Sequence, residues 1–90
     1  MNRTNENDSA LTFPCEFPIK IIGKADLEFQ ATALAIVRKH YPQLSESVDI
    51  HHSKQNNYIS LTVTIQANSQ EQLDAIYTEL NANENVIMVL

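Results

Sequence analysis

The strongest constraint on the fold of this sequence is the strict alternation of apolar and polar residues between Tyr58 and Gln66. Successive side chains of an extended strand point to opposite sides, so this alternation predicts a strand with one buried face and one open face. The buried face would carry Ile59, Leu61, Val63 and Ile65, and the open face Tyr58, Ser60, Thr62, Thr64 and Gln66.

Three further segments predict strands that can pair with this one. They are Phe17–Ile22, Ser47–Ser53 and Val86–Leu90. The polar link of residues 54–57 is short enough to join the second and third strands of the chain as a hairpin. We therefore expect four strands, of which the alternating segment is the third.

Two segments show helical spacing of their apolar residues. The first runs to about His40, with Asp26 as the predicted N-cap and Pro42 just beyond its end. The second begins after Asn68, where Ser69 and Gln72 fit a capping box. The predicted apolar faces comprise Leu27, Phe29, Ala33, Leu34, Ile36 and Val37 in the first helix, and Leu73, Ile76, Tyr77 and Leu80 in the second.

The predicted order of elements is βαββαβ, which defines the fold class. Two right-handed βαβ units interleave in this order into an α+β, ferredoxin-like sandwich. It has a four-stranded antiparallel sheet with both helices on one face, and strands one and three at its centre. Residues 1–12 are polar and predict a disordered tail, and residues 13–90 predict a single domain.

The composition excludes several classes of protein. The chain has 90 residues, six Lys and Arg against 11 Asp and Glu, one cysteine and one glycine, Gly23. One cysteine cannot form an intrachain disulfide, and one glycine cannot form a nucleotide-binding loop. No run of 18 apolar residues predicts a membrane span, and the polar N-terminus does not resemble a signal peptide. We therefore expect a cytoplasmic protein with no membrane partner.

Several motifs resemble those of the YbeD-like family of small uncharacterised bacterial proteins. They are the stretch Phe13–Lys20 followed by Gly23, then Ser53-Lys54, Tyr58, Ser60, Ala67, Glu71, Leu73 and Tyr77, and the closing Val86–Leu90. The tight Lys-Gly-Asn-Tyr turn of that family is replaced here by Lys54–Tyr58 without glycine. The resemblance implies a fold similar to ACT domains, which bind effectors such as amino acids and often dimerise. It implies no catalytic residues and no cofactor.

The first candidate site is the connection between strand one and helix one. Gly23, Lys24 and Asp26 fall there, at a helix N-terminus whose N–H groups and dipole favour anions. The resemblance implies that an ACT-like domain would receive a small-molecule effector at this loop. We expect Gly23 in the turn, where a positive φ or the close approach of another backbone or ligand would favour glycine. The alternative is an ordinary turn with a solvated lysine.

The second candidate site is the open face of the sheet. It is expected to present Lys20, His51, Ser60, Thr62 and Thr64. RNA-binding modules stack bases on aromatic residues of this face, but strand three offers hydroxyls and the net charge is −5, so nucleic acid is disfavoured. We expect a docking surface for a protein partner or for self-association as a homodimer, or else a solvated face. A non-enzymatic regulatory or protein-interaction module follows as the leading hypothesis.

Two alternatives from other classes remain open at this point. An acylphosphatase-like hydrolase would need an Arg in the loop after strand one, where this chain has Lys24. A transition-metal site would use Asp49 and His51, which share a strand face while His52 points away. Cys15 is expected to be a partly buried structural cysteine, because it lies in an extended segment away from any base.

Overall fold

The computed structural model of this chain describes residues 12–44 and 48–90. Its elements follow the predicted βαββαβ order. They are β1 (Cys15–Lys24), α1 (Leu27–His40), β2 (Asp49–His52), β3 (Tyr58–Ala67), α2 (Gln70–Ala82) and β4 (Val86–Val89).

The four strands form one antiparallel sheet in the order β2-β3-β1-β4. The central ladder joins β1 to β3 and runs from the pair Cys15–Ala67 to the pair Lys24–Tyr58. The predicted central position of strands one and three is confirmed. The shorter strands β2 and β4 form the two edges, and the register between β1 and β4 shifts between Ile22 and Gly23.

The core lies between one face of this sheet and the two helices. Because alternate residues of a strand share a face, the apolar half of β3 and alternate residues of β1 turn toward the helices together. The ferredoxin-like sandwich is confirmed. Its buried side chains include Ile19, Ile21, Ile59, Leu61, Val63 and Ile65 from the sheet, and Phe29, Ala33, Val37, Leu73, Ile76 and Leu80 from the helices.

Both predicted helix caps are present. The Asp26 carboxylate accepts a hydrogen bond from the Phe29 N–H at 2.7 Å. The Ser69 hydroxyl accepts from the Gln72 N–H at 3.1 Å, and the Gln72 side chain accepts from the Asn68 N–H at 2.7 Å. In a capping box the Gln72 side chain would accept from the N–H of the N-cap Ser69, but here it accepts from the preceding residue, Asn68. Each cap satisfies a backbone donor that the helix leaves free.

The hairpin between β2 and β3 closes without glycine because Asn56 takes its place. Asn56 has a φ of 58°, in the left-handed region that asparagine tolerates better than most residues. The Ser53 hydroxyl accepts hydrogen bonds from the N–H groups of Asn57 and Tyr58 at 3.0 and 3.1 Å. These bonds hold the turn in place.

Two local predictions were wrong. Gly23 lies in β1 and not in the turn, and its φ is not positive. A Cβ at this position would come within 2.3 Å of the Phe29 ring, so the glycine makes room for a core side chain. Leu27 was assigned to the apolar face of α1 but is 80% exposed, at the first residue of the helix.

The remaining differences concern the ends of strands. β1 begins at Cys15, two residues before the predicted start, and β2 covers only Asp49–His52 of the predicted strand two. The predicted start of that strand at Ser47, and most of the predicted tail, fall outside the described residues.

Candidate functional site

The face of the sheet opposite the helices carries the residues predicted to form an interaction surface. Residues paired directly across antiparallel strands share a face. Thr62 is paired with Asp49 on one side and with Lys20 on the other. Lys20 in turn exchanges two backbone hydrogen bonds with Leu90, at 2.8 and 3.2 Å. Asp49, Thr62, Lys20 and Leu90 therefore form one row across the open face.

A second row lies next to the first. His51 is paired with Ser60, Ser60 with Ile22, and Ile22 with Met88. The structure thus brings Lys20, His51, Ser60 and Thr62 into two neighbouring rows, and Thr64 continues the hydroxyl column of β3. We call this surface, residues Lys20, Ile22, His51, Ser60, Thr62, Thr64, Met88 and Leu90, the open sheet face.

The open sheet face is more apolar than the sequence pattern predicts. Met88 is 46% exposed and is paired with the half-buried Ile22, and Leu90, opposite Lys20, is 59% exposed. The sequence carried a signal for this, since Val86–Leu90 are all apolar and a strand must turn alternate residues away from the core. The face therefore combines a column of hydroxyls with an exposed apolar margin.

Charge is distributed unevenly between this face and the helices. Lys20 is exposed on the open sheet face, and Lys24 lies beyond it, paired with Tyr58. Helix α2 carries Glu71, Asp74 and Glu79 and has no basic residue. The uncovered sheet surface therefore carries charges of both signs, because Glu16 and Asp49 share it with Lys20, whereas the charged residues of α2 are all carboxylates.

A separate depression lies beside the connection between β1 and α1. It has a volume of about 270 Å³ and is lined by Ala25, Asp26, Leu27, Gln30, His52, Asn56 and Ile59. Of the three residues predicted for an effector loop, only Asp26 reaches it. Gly23 is buried beneath Phe29, and Lys24 belongs to the other face of the sheet.

The Asp26 carboxylate changes the electrostatics expected at this loop. It already accepts the Phe29 N–H, so the positive end of the α1 dipole has its own anion. A further anion entering the depression would meet a carboxylate. The geometry favours a ligand whose group at this end is neutral or positively charged.

The residues required by the two alternative chemistries are not brought together. Asp49 and His51 share the open face, but among the described residues no three His, Cys, Asp or Glu side chains form a group that could hold a metal ion. Lys24 precedes the first turn of α1 and Arg38 lies in its last, so about 16 Å of helix, from Leu27 to Arg38, lies between them. Lys24 and Arg38 therefore cannot cradle one phosphate together.

Cys15 lies at the start of β1, opposite Ala67, and is half-buried against the core. This position fits the structural role predicted for it. Within residues 12–44 and 48–90, neither helix is long and apolar enough to cross a membrane.

A polar cluster that no sequence pattern predicts joins the two helices. The Glu79 carboxylate of α2 is hydrogen-bonded to the His40 ring and to the Lys39 ammonium, the latter at 3.1 Å. These bonds, first that from His40 and then that from Lys39, hold the pKa of the Glu79 carboxyl below its ordinary value. The Gln72 side chain also donates to the His40 carbonyl at 3.0 Å.

Similar sequences match almost the whole length of this chain. Residues 8–90 match a family described as "Protein of unknown function (DUF493)". A UPF0250 protein of Paraburkholderia phytofirmans is 45% identical over 85 residues, which cover 93% of this chain and 96% of that protein. The UPF0250 protein NE1487 of Nitrosomonas europaea is 39% identical over 84 residues, covering 92% and 97%.

Comparison with solved structures supports the fold independently of sequence. Protein HP0495 from H. pylori superposes with a TM-score of 0.75 at 13% identity, covering 100% of this chain and 96% of that one. The ACT domain from the GTP pyrophosphokinase of Chlorobium tepidum gives a TM-score of 0.63 at 10% identity, covering 84% and 95%. At such identities the likeness concerns the fold alone, and that fold is ACT-like.

Proposed function

The chain belongs to the DUF493 family of YbeD-like UPF0250 proteins, and on that premise we propose that it is a non-enzymatic regulatory or protein-interaction module. The observation that carries this proposal is the open sheet face. It combines the exposed Lys20 with hydroxyls on β3 and with the exposed Met88 and Leu90. Mixed polar and apolar surfaces of this kind are typical of protein–protein interfaces, in which apolar anchors are surrounded by hydrogen-bonding groups.

The partner that this surface fits is another protein and not a nucleic acid. Base stacking requires aromatic side chains at the centre of the sheet, whereas the described face presents Ser60, Thr62 and Thr64 there. Tyr58 is the one aromatic residue of β3, and it lies at the end of the strand next to the hairpin. The acidic balance of the chain also opposes association with a phosphate backbone.

The regulatory part of the proposal concerns the depression beside the connection between β1 and α1. Its lining mixes amide and imidazole groups from Gln30, Asn56 and His52 with the 80% exposed side chain of Leu27. Convergent polar groups beside apolar surface are what small-ligand sites require. Native mass spectrometry of the protein purified from its own cells tests this part directly. A bound metabolite that is lost on Leu27→Asp supports it, and ligand-free protein contradicts it.

Site-specific photocrosslinking tests the docking surface. A photoreactive amino acid replaces Thr64, which is exposed on the open sheet face, in cells that naturally make the protein. The matched control carries the same group at Thr78, an exposed threonine of α2. We expect discrete adducts with one protein species from position 64, identified by mass spectrometry, and none from position 78.

Two outcomes would overturn the docking proposal. The first is an equal adduct pattern from both positions, which would indicate random collision. The second is the absence of adducts from position 64 together with normal folding of the substituted chain, as judged by circular dichroism.

A further inference from the structure

The end of the open sheet face nearest the β2–β3 hairpin collects lysines and hydrogen-bond donors. His51 is paired with Ser60, and Lys24 is paired with Tyr58 in the next row toward the hairpin. Lys20 lies in the row on the other side of Ser60. Among the described residues, the rows of Ser60 and Tyr58 contain no Asp or Glu. We call these five residues, Lys20, Lys24, His51, Tyr58 and Ser60, the basic end.

The carboxylates on this side of the sheet lie outside the basic end. Glu16 lies at the opposite end of the ladder between β1 and β3. Asp49 marks the border, two residues before His51 on β2. In the part of the chain that the structure describes, neither Lys20 nor Lys24 forms an ion pair, since the recorded pairs belong to the cluster between the helices. Both ammonium groups are therefore available to an anionic partner.

An open depression lies at the basic end. It has a volume of about 180 Å³, and its lining includes Lys20, His51, Tyr58 and Ser60 around Ile22. A lysine ammonium only donates hydrogen bonds, and hydroxyl groups and an imidazole N–H donate as well. Hydrogen bonds from such donors to an ionised acceptor are the stronger, charge-assisted kind. The depression therefore suits a carboxylate better than a neutral or a cationic group.

We propose that the basic end binds a carboxylate-rich segment of a different protein. One carboxylate of this segment lies in the depression, against Lys20, His51 and Ser60, and a second reaches Lys24. Lys20 and Lys24 are four residues apart on one face of β1, a distance of about 13 Å, so a segment with several neighbouring acidic side chains engages both. The binding rests on the proposed function, because it gives the chemistry of the partner that docks on the open sheet face.

Local charge favours this occupant although the whole chain is acidic. Exposed charges act over only about 8 Å at physiological ionic strength, so a segment at the basic end is influenced mainly by the charges beside it. These are the two lysines, Lys20 and Lys24, against the one carboxylate of Asp49. The local balance is therefore positive, whereas the net charge of the chain is −5.

Photocrosslinking from position 64 tests the binding through the sign of the charge at position 51. His51→Glu should lower the adduct yield at least about fivefold, because it places a like charge against the bound carboxylate. His51→Lys should retain the adduct, whereas a purely structural role of this histidine would make both substitutions harmful. The matched control is Lys54→Glu in the hairpin, outside the strands, which should leave the yield unchanged.

A titration of the unmodified full chain tests the ligand chemistry without the natural partner. Hexaglutamate should shift the NMR amide resonances of His51 and Ser60, and hexalysine should not. Added salt should weaken these shifts, because it screens exposed charges. The amide of Gln66, which is paired with Glu16 at the opposite end of the ladder, is the internal control and should not shift.

The outcomes distinguish a failure of this binding from a failure of the proposed function. A discrete adduct from position 64 that His51→Glu leaves unchanged would overturn the acidic partner and leave the docking surface in place. Equal responses to hexaglutamate and hexalysine, or an adduct made of two copies of this chain, would also overturn the acidic partner. The absence of any adduct from position 64 would overturn the proposed function and the acidic partner together.

Discussion

The ring of Phe29 occupies the space in which a side chain at position 23 would begin. A Cβ built on Gly23 would lie 2.3 Å from two carbons of that ring, and Phe29 is fully buried. The only glycine of the chain is therefore required by packing between β1 and α1, and its φ is not in the left-handed region that would favour glycine.

This contact predicts that Gly23→Ala destabilises the domain. Overpacking of a core typically costs about 1–3 kcal/mol, and a contact as close as this one should lie at the upper end of that range. The free energy of unfolding in urea measures the effect. In a Phe29→Leu background, which removes the end of the ring, we expect Gly23→Ala to cost less. Equal costs in both backgrounds would show that Phe29 is not the cause.

The cluster between α1 and α2 predicts a dependence of stability on pH. Hydrogen bonds from His40 and Lys39 lower the pKa of Glu79 in the folded state below its ordinary value of 4.5. A carboxyl with a lowered folded pKa stabilises the fold above its unfolded pKa, and this contribution is lost as the pH falls through the folded pKa. We expect Glu79→Gln to lower the urea midpoint at neutral pH and to have a progressively smaller effect in acid.

The control for this prediction is Glu84→Gln, which removes an exposed carboxylate in the loop before β4. It should shift the midpoint little at any pH. A Glu79→Gln effect of constant size between neutral and strongly acidic solution would contradict the assigned role of the ion pair and hydrogen bonds.

The hairpin turn predicts different outcomes for two substitutions of one residue. Asn56 has a φ of 58°, a conformation that costs most residues roughly 1–2 kcal/mol and glycine almost nothing. We expect Asn56→Ala to destabilise the domain by about 1 kcal/mol and Asn56→Gly to leave it unchanged or slightly more stable. Thermal unfolding followed by circular dichroism distinguishes them. Equal losses for both variants would indicate that the asparagine side chain, and not the φ angle, matters.

Two substitutions of Asp26, the N-cap of α1, separate the effect of its hydrogen bond on stability from the effect of its charge. Loss of the side-chain acceptor in Asp26→Ala should cost about 1 kcal/mol, whereas Asp26→Asn keeps an acceptor for the Phe29 N–H. The urea midpoints of the two variants measure this difference. Similar destabilisation by both would mean that the negative charge beside the helix dipole dominates.

Much of the fold follows from local patterns. The alternation in β3, the Asp26 and Ser69 caps and the spacing of Leu73, Ile76 and Leu80 each depend on neighbours within a few residues, and each is found as predicted. Their order along the chain then leaves few ways to arrange four strands and two helices.

The features that could not be predicted depend on contacts between segments far apart in the sequence. His40 and Glu79 are 39 residues apart, so no local pattern indicates their hydrogen bond. Glycine is needed at position 23 because the Phe29 ring of the following helix occupies the space of a side chain there. Likewise, the rows of the open sheet face required the strand register, which brings Met88 beside Ile22.

A protein partner held by the open sheet face should be released when one residue of that face is altered, and the photocrosslinking yield at position 64 measures this release. Lys20→Glu reverses a charge in the middle of this face, and Lys54→Glu makes the same change in the hairpin, outside the strands. We expect the adduct to be lost with Lys20→Glu and retained with Lys54→Glu. Equal adduct yields from the two variants would contradict it.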